Sequence, residues 1–148
     1  LAAIYAKSRD NARTPMQWND RENAGVTDGT PWIRVNPNYG KINAAAQAAD
    51  ENSVFKCYQT LIRLRKEYSV FADGEFQMLL EADENIFAYT RTDVGSRLLV
   101  VCNFYGETVN VSLEELSDAG KLLISNYKDV EETAVLRPYE ARMYWKEN

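Results

Sequence analysis

The sequence predicts a mainly β protein, an antiparallel β-sandwich preceded by an irregular loop and one α-helix. Three observations carry this. From residue 76 onward apolar and polar residues alternate with a period of two, in short runs rich in β-branched and aromatic side chains, as half-buried strands do. Turn residues break those runs at regular intervals, which favours antiparallel neighbours and a small sandwich of about six to eight strands. Between residues 52 and 68 the apolar period is helical instead.

Taken in order, the chain opens on Leu1 with no basic and then apolar leader, and is expected to be a piece of a longer protein. Residues 1–7 read as the last turns of a helix, too short to stand without a packing partner. Residues 8–50 hold Pro15, Pro31, Pro37, Gly25, Gly29 and Gly40 with no apolar period, and so predict a long irregular segment. Such a segment in a compact domain usually carries binding residues. Asp50-Glu51-Asn52-Ser53 is an N-cap cluster, and the stripe Val54, Phe55, Tyr58, Leu61, Ile62 with basic residues after it predicts a helix over 52–68. A boundary is expected near residues 69–74, dividing the chain into 1–70 and 71–148. Strands are predicted at 76–81, 86–92, 97–104, 108–113, 121–126 and 141–146, separated by turns such as Asp83-Glu84-Asn85 and Asp93-Val94-Gly95-Ser96.

Composition removes several functions. Seventeen basic against 22 acidic side chains, net charge −5, leave no basic block for a phosphate backbone, so nucleic acid is not an expected partner. The apolar runs are too short for a transmembrane helix, so no membrane partner is expected. With no histidine, the chain cannot itself supply a Ser-His-Asp or Cys-His system or a His-ligated metal. Cys57 and Cys102 are too few for a metal-thiolate cluster and are expected to be reduced core thiols. No dinucleotide or P-loop glycine pattern occurs, and no cofactor and no metal are expected. Carboxylates are plentiful, but nothing singles out a pair poised for acid/base chemistry.

The distinctive cluster is Ser8-Arg9-Asp10-Asn11-Ala12-Arg13-Thr14-Pro15-Met16-Gln17-Trp18, followed by Asn23-Ala24-Gly25-Val26-Thr27 and Pro31-Trp32-Ile33. It resembles the corresponding segment of the α-glucosidase branch of the α-amylase family of glycoside hydrolases, a branch that includes oligo-1,6-glucosidases, dextran glucosidases and trehalose-6-phosphate hydrolases. The likeness continues through Val35-Asn36-Pro37-Asn38-Tyr39, Leu61-Ile62-Arg63-Leu64-Arg65-Lys66, Phe87-Ala88-Tyr89-Thr90-Arg91 and Leu136-Arg137-Pro138-Tyr139-Glu140-Ala141, and so over essentially the whole chain. Asn19 departs from the acidic residue usual after the Trp, and Val26 from the common Phe.

The resemblance implies that residues 1–70 are the end of a catalytic (β/α)8 barrel, a substrate-side loop plus the last helix, and that residues 71–148 are a C-terminal antiparallel β-sandwich. The parent would be a retaining α-glucosidase cleaving short α-glucosidic, above all α-1,6, oligosaccharides. Its Asp nucleophile, Glu acid/base and second Asp would lie on earlier barrel strands missing here, so no catalytic residue is expected in this chain. Gly74-Glu75 and Gly106-Glu107 sit at turns and are decoys for the acid/base motif. By the same resemblance Arg9 is the expected substrate contact, its guanidinium fork suited to a carboxylate and a sugar hydroxyl at once. Asp10, Arg13 and Trp18 are expected to support the loop. From the residues alone, Arg9 is better explained by an ordinary surface or intraloop ion pair, and Trp18 and Trp32 by packing of the loop onto the barrel. The oligosaccharide would be held through the parent barrel, and the severed chain is expected to self-associate through apolar surface. The family's habit of importing small sugars implies a cytoplasmic location. The alternative is a stand-alone carbohydrate-binding or structural interaction module.

Overall fold

The computed structural model describes residues 13–130 and 132–148. They form two compact units that divide between Arg63 and Leu64.

In the first unit the segment predicted to be irregular is built from turns, with one short helix that the sequence reading did not foresee, α1 (Ala44–Ala49). Asn43 starts it, its side-chain oxygen accepting from Ala46 N at 2.9 Å, and the alanines that follow are the best helix formers. The longer helix α2 (Val54–Glu67) falls where it is predicted, and the cap is Ser53, whose hydroxyl accepts from Lys56 N at 3.2 Å and donates to Gln47 O at 2.6 Å. Its apolar stripe is largely exposed: Val54, Phe55, Tyr58 and Ile62 all keep half or more of their surface, and Leu64 alone on the helix is buried. The helix is amphipathic, but nothing among the described residues covers that face. Cys57 lies on the exposed helix and Cys102 is half-buried, so the expectation of two core thiols holds for neither fully; both are free.

The second unit begins with the last turn of α2 and the single-turn helix α3 (Val70–Asp73). A five-stranded antiparallel sheet follows in the order β1-β2-β3-β7-β5, made of Glu75–Leu79, Ile86–Thr92, Ser96–Asn103, Ala141–Glu147 and Lys121–Ser125. The two remaining strands, β4 (Val109–Asn110) and β6 (Val135–Leu136), form a separate ladder. The strand predicted over 108–113 is thus cut to two residues. Val111 turns inward, its N–H donating to Ala134 O at 2.8 Å and its side chain buried.

Central β3 is covered on both faces. On one, Ile86, Ala88, Leu99, Val101 and Tyr144 meet Leu116 and Ala119 and, from the ladder side, Val111 and Leu136, which gives the sandwich its core. On the other, Leu98 and Val100 pack with Val70, and Tyr68, Phe71 and Trp145 close over them. Adjacent Tyr144 and Trp145 serve opposite faces, as a period of two requires. Turn chemistry fixes the β2–β3 hairpin: Asp93 Oδ1 accepts from Gly95 N at 3.0 Å and Ser96 N at 2.7 Å, and Oδ2 accepts from the Ser69 hydroxyl at 2.9 Å. The Ser69 hydrogen bond leads in holding the Asp93 carboxyl below the ordinary aspartate value.

Candidate functional site

The candidate site is the loop of residues 8–50, described from Arg13 onward. Arg9 and Asp10, the expected sugar contact and its partner, lie outside the described residues. Arg13 is exposed and borders a cavity of about 310 Å³ together with Pro15, Val26, Pro31 and Trp32. Trp32 is 91% exposed and Trp18 54%. The structure brings Arg13 and Trp32 to one cavity; Trp18 does not line it.

What holds Trp18 is a backbone clamp. Trp18 N and Asn19 N both donate to Ala24 O, at 3.0 and 3.3 Å, while Gln17 O and Trp18 O accept from Ala44 N at 2.8 Å and Ala45 N at 3.0 Å. The latter two donors are the first amides of α1, which have no partner inside the helix. The Gln17 side chain adds two donations, to Asn38 Oδ1 at 3.0 Å and to Ile42 O. Gln17, Trp18 and Asn19 are therefore tied on both sides.

The acceptor Ala24 O is presented by a left-handed turn, with φ of 53° at Asn23, 57° at Ala24 and 69° at Gly25. Two non-glycine residues in that region are costly, and Asn is the more tolerant of them. Asn23 is further secured by donating from its side-chain amide to Thr27 O and Gly29 O, at 3.2 and 3.0 Å. Gly25 is required on two counts: its positive φ, and the Asn19 side chain, which lies 2.6 to 2.9 Å from where a Cβ would be. That side chain in turn accepts from Arg21 N at 3.0 Å. The described loop thus presents the Arg13 guanidinium and two exposed indoles on a backbone fixed by its own amide side chains. Among the described residues no group of three or more His, Cys, Asp or Glu gathers to hold a metal.

The second unit contains an ionic network that the sequence reading missed. Glu140 is fully buried and Arg142 nearly so. The Glu140 carboxylate accepts from Arg142 Nε at 2.8 Å and from Arg137 N and Nε at 2.9 and 3.1 Å. Arg142 also donates to the carbonyls of Glu132, Thr133 and Val135, and Arg137 pairs with Asp129 at 3.0 Å. Burial pushes the Glu140 pKa up, but the hydrogen bonds from Arg142 and Arg137 outweigh it and bring it from 4.5 down to about 2. The signal was two opposite charges two residues apart, pointing to one side of an extended chain.

Set against known proteins, residues 1–74 match the family model "Alpha amylase, catalytic domain" and residues 86–142 match "Alpha-amylase SusG C-terminal domain". The chain belongs to the α-amylase family of glycoside hydrolases. An oligo-1,6-glucosidase of Halalkalibacterium halodurans is 49% identical over 154 residues, with 100% of this chain and 28% of that protein covered. Trehalose-6-phosphate hydrolase of Bacillus licheniformis superposes with a TM-score of 0.87 at 42% identity, over 99% of this chain and 28% of that one. Isomaltulose synthase of Klebsiella sp. LX3 superposes at 0.83 with 37% identity, over 93% and 25% of the two chains. The chain therefore spans about a quarter of the length of the relatives it matches, on the side of their C-terminal region.

Proposed function

We propose that this chain is the C-terminal part of a retaining α-glucosidase that hydrolyses short α-glucosidic oligosaccharides, with α-1,6 linkages preferred. Residues 1–70 complete the catalytic barrel and residues 71–148 form the accessory sandwich. The observation that carries the reading is identity of 49% sustained over the whole chain to a protein named oligo-1,6-glucosidase.

In this account the catalytic carboxylates belong to the preceding barrel, and the 148-residue chain alone turns nothing over. A two-carboxylate retaining reaction needs both groups about 5 Å apart across the glycosidic bond, and the loop supplies neither. Its contribution is positional. Arg9 holds the terminal glucose, Asp10 and Arg13 steady the loop, and Trp18 is part of the clamped segment that anchors it. The enzyme works in the cytoplasm on imported sugars.

The test is the complete enzyme assayed on isomaltose, maltose and trehalose 6-phosphate. Isomaltose is expected to give the highest kcat/KM. Preference for trehalose 6-phosphate would move the protein to that branch, and no hydrolysis of any α-glucoside would overturn the proposal.

A further inference from the structure

Gln17 binds through its side chain as well as its backbone. Its amide nitrogen donates to Asn38 Oδ1 at 3.0 Å and to Ile42 O, residues 21 and 25 positions away. A glutamine amide carries two hydrogens on that nitrogen, and both are used. The receiving turn is fixed by bonds of its own. Asn36 Oδ1 accepts from Asn38 N at 3.2 Å, and Asn38 O accepts from Lys41 N and Ile42 N, each at 2.9 Å. Buried Asn43 donates to Tyr39 O at 2.8 Å and caps α1. Gln17 therefore inserts into a turn whose backbone is already held in place.

Two arguments assign these bonds to position more than to stability. Amide hydrogen bonds this accessible to water add little net stability, because unfolding exchanges them for bonds to solvent. Trp18 and Asn19, next to Gln17, are held from another side by Ala24 O, which is presented through positive φ at Asn23 and Ala24. A backbone that keeps costly conformations to supply such an anchor is one whose placement matters. What the anchored segment leads to is upstream. Pro15, two residues before Gln17, has its φ locked by the ring, so a shift at Gln17 is passed on to Arg13, which borders the same cavity as Pro15. Arg9 precedes Gln17 by eight residues.

We propose that Gln17 is a positioning residue of the α-glucosidase: its amide ties the loop to the turn around Asn38 and Ile42, and so sets where Arg9 stands against the terminal glucose. The proposal deepens the functional reading above and rests on the substrate role that reading gives to Arg9. Gln17 itself touches no substrate in this account and acts only through the loop it holds.

The test is a double-mutant cycle in the complete enzyme, with kcat/KM on isomaltose measured well below the Tm of each variant. Gln17→Glu keeps the size of the side chain and removes both donations; Gln17→Met, of similar length and uncharged, removes them without adding a carboxylate. Each should lower kcat/KM about tenfold, the scale of a small misplacement of a binding group. In an Arg9→Ala background the same substitutions should change it by less than about twofold, because the group they position is gone. A full tenfold loss in both backgrounds would overturn the proposal, since Gln17 would then act independently of Arg9. So would wild-type kcat/KM at a lowered Tm, the mark of a purely structural bond, or a loss confined to Gln17→Glu, which would be due to the added charge. Damaged Arg9→Ala beside undamaged Gln17 variants would remove the positioning role and leave the substrate reading standing. Near-wild-type kinetics for Arg9→Ala alone would remove Arg9 from the substrate site and this proposal with it.

Discussion

Replacing Glu140 by Gln keeps the size of the side chain and removes its charge, and so isolates what the buried network contributes. Arg142, 2% exposed, would remain in the sandwich facing an amide in place of the carboxylate 2.8 Å away. Removing one partner of a buried ion pair costs about 3–5 kcal/mol, because the other charge is left without compensation. Arg142 also ties the carbonyls of residues 132, 133 and 135 to β7, so release of β6 should accompany the loss. The assay is urea unfolding of the chain followed by circular dichroism, with hydrogen exchange at Val135 and Leu136 as the local readout. The pH dependence has a definite sign. Glu140 titrates at about 2 when folded against an ordinary 4.5, so its stabilisation is complete above pH 4.5 and fades as pH falls toward 2. The variant should lack that part of the acid slope. A destabilisation under about 1 kcal/mol at pH 7, or an unchanged acid slope, would refute the assignment of Glu140 as the network's centre.

Gly25→Ala must bear both a positive φ and a clash with the Asn19 side chain, and should cost about 1–3 kcal/mol, measured by urea unfolding of the first unit's signal. Asn43→Ala removes the cap of α1 and should cost about 1 kcal/mol, with faster amide exchange at Ala46 as its direct mark. In the complete enzyme Arg9→Ala should lower kcat/KM roughly 10- to 150-fold, the equivalent of one or two charge-assisted hydrogen bonds, with the Tm unchanged. Steady-state kinetics near wild type would remove Arg9 from the substrate site.

The sandwich was legible where burial imposes a period. Residues 86–92 alternate so regularly that β2 occupies the expected span, and the aspartates at 83 and 93 announce the turns they cap. Helix α2 was equally plain. By contrast α1 is written in alanines, which favour helix without showing an apolar face, and β6 is two residues long, too short for alternation to register. The ladder's shortening at β4 follows from a long-range bond between Val111 and Ala134 that no local pattern encodes. For the candidate site, the motif drew attention to residues 8–18, but the physical organisation of the described loop was hidden. The clamp on Trp18 joins residues more than twenty positions apart, and the left-handed turn passes through Ala24, a residue that gives no sign of a positive φ. The amphipathic stripe of α2 specifies that a face seeks a partner but not where the partner comes from, and it stays largely exposed here.

The proposed division of labour between this chain and a catalytic barrel is tested most directly by assaying the complete enzyme and the pure chain on p-nitrophenyl α-glucoside and following the anomer first released. The complete enzyme should liberate α-glucose, and the pure 148-residue chain should show no turnover. Measurable turnover by the chain alone would contradict the account, because the groups that break the bond would then have to reside within it.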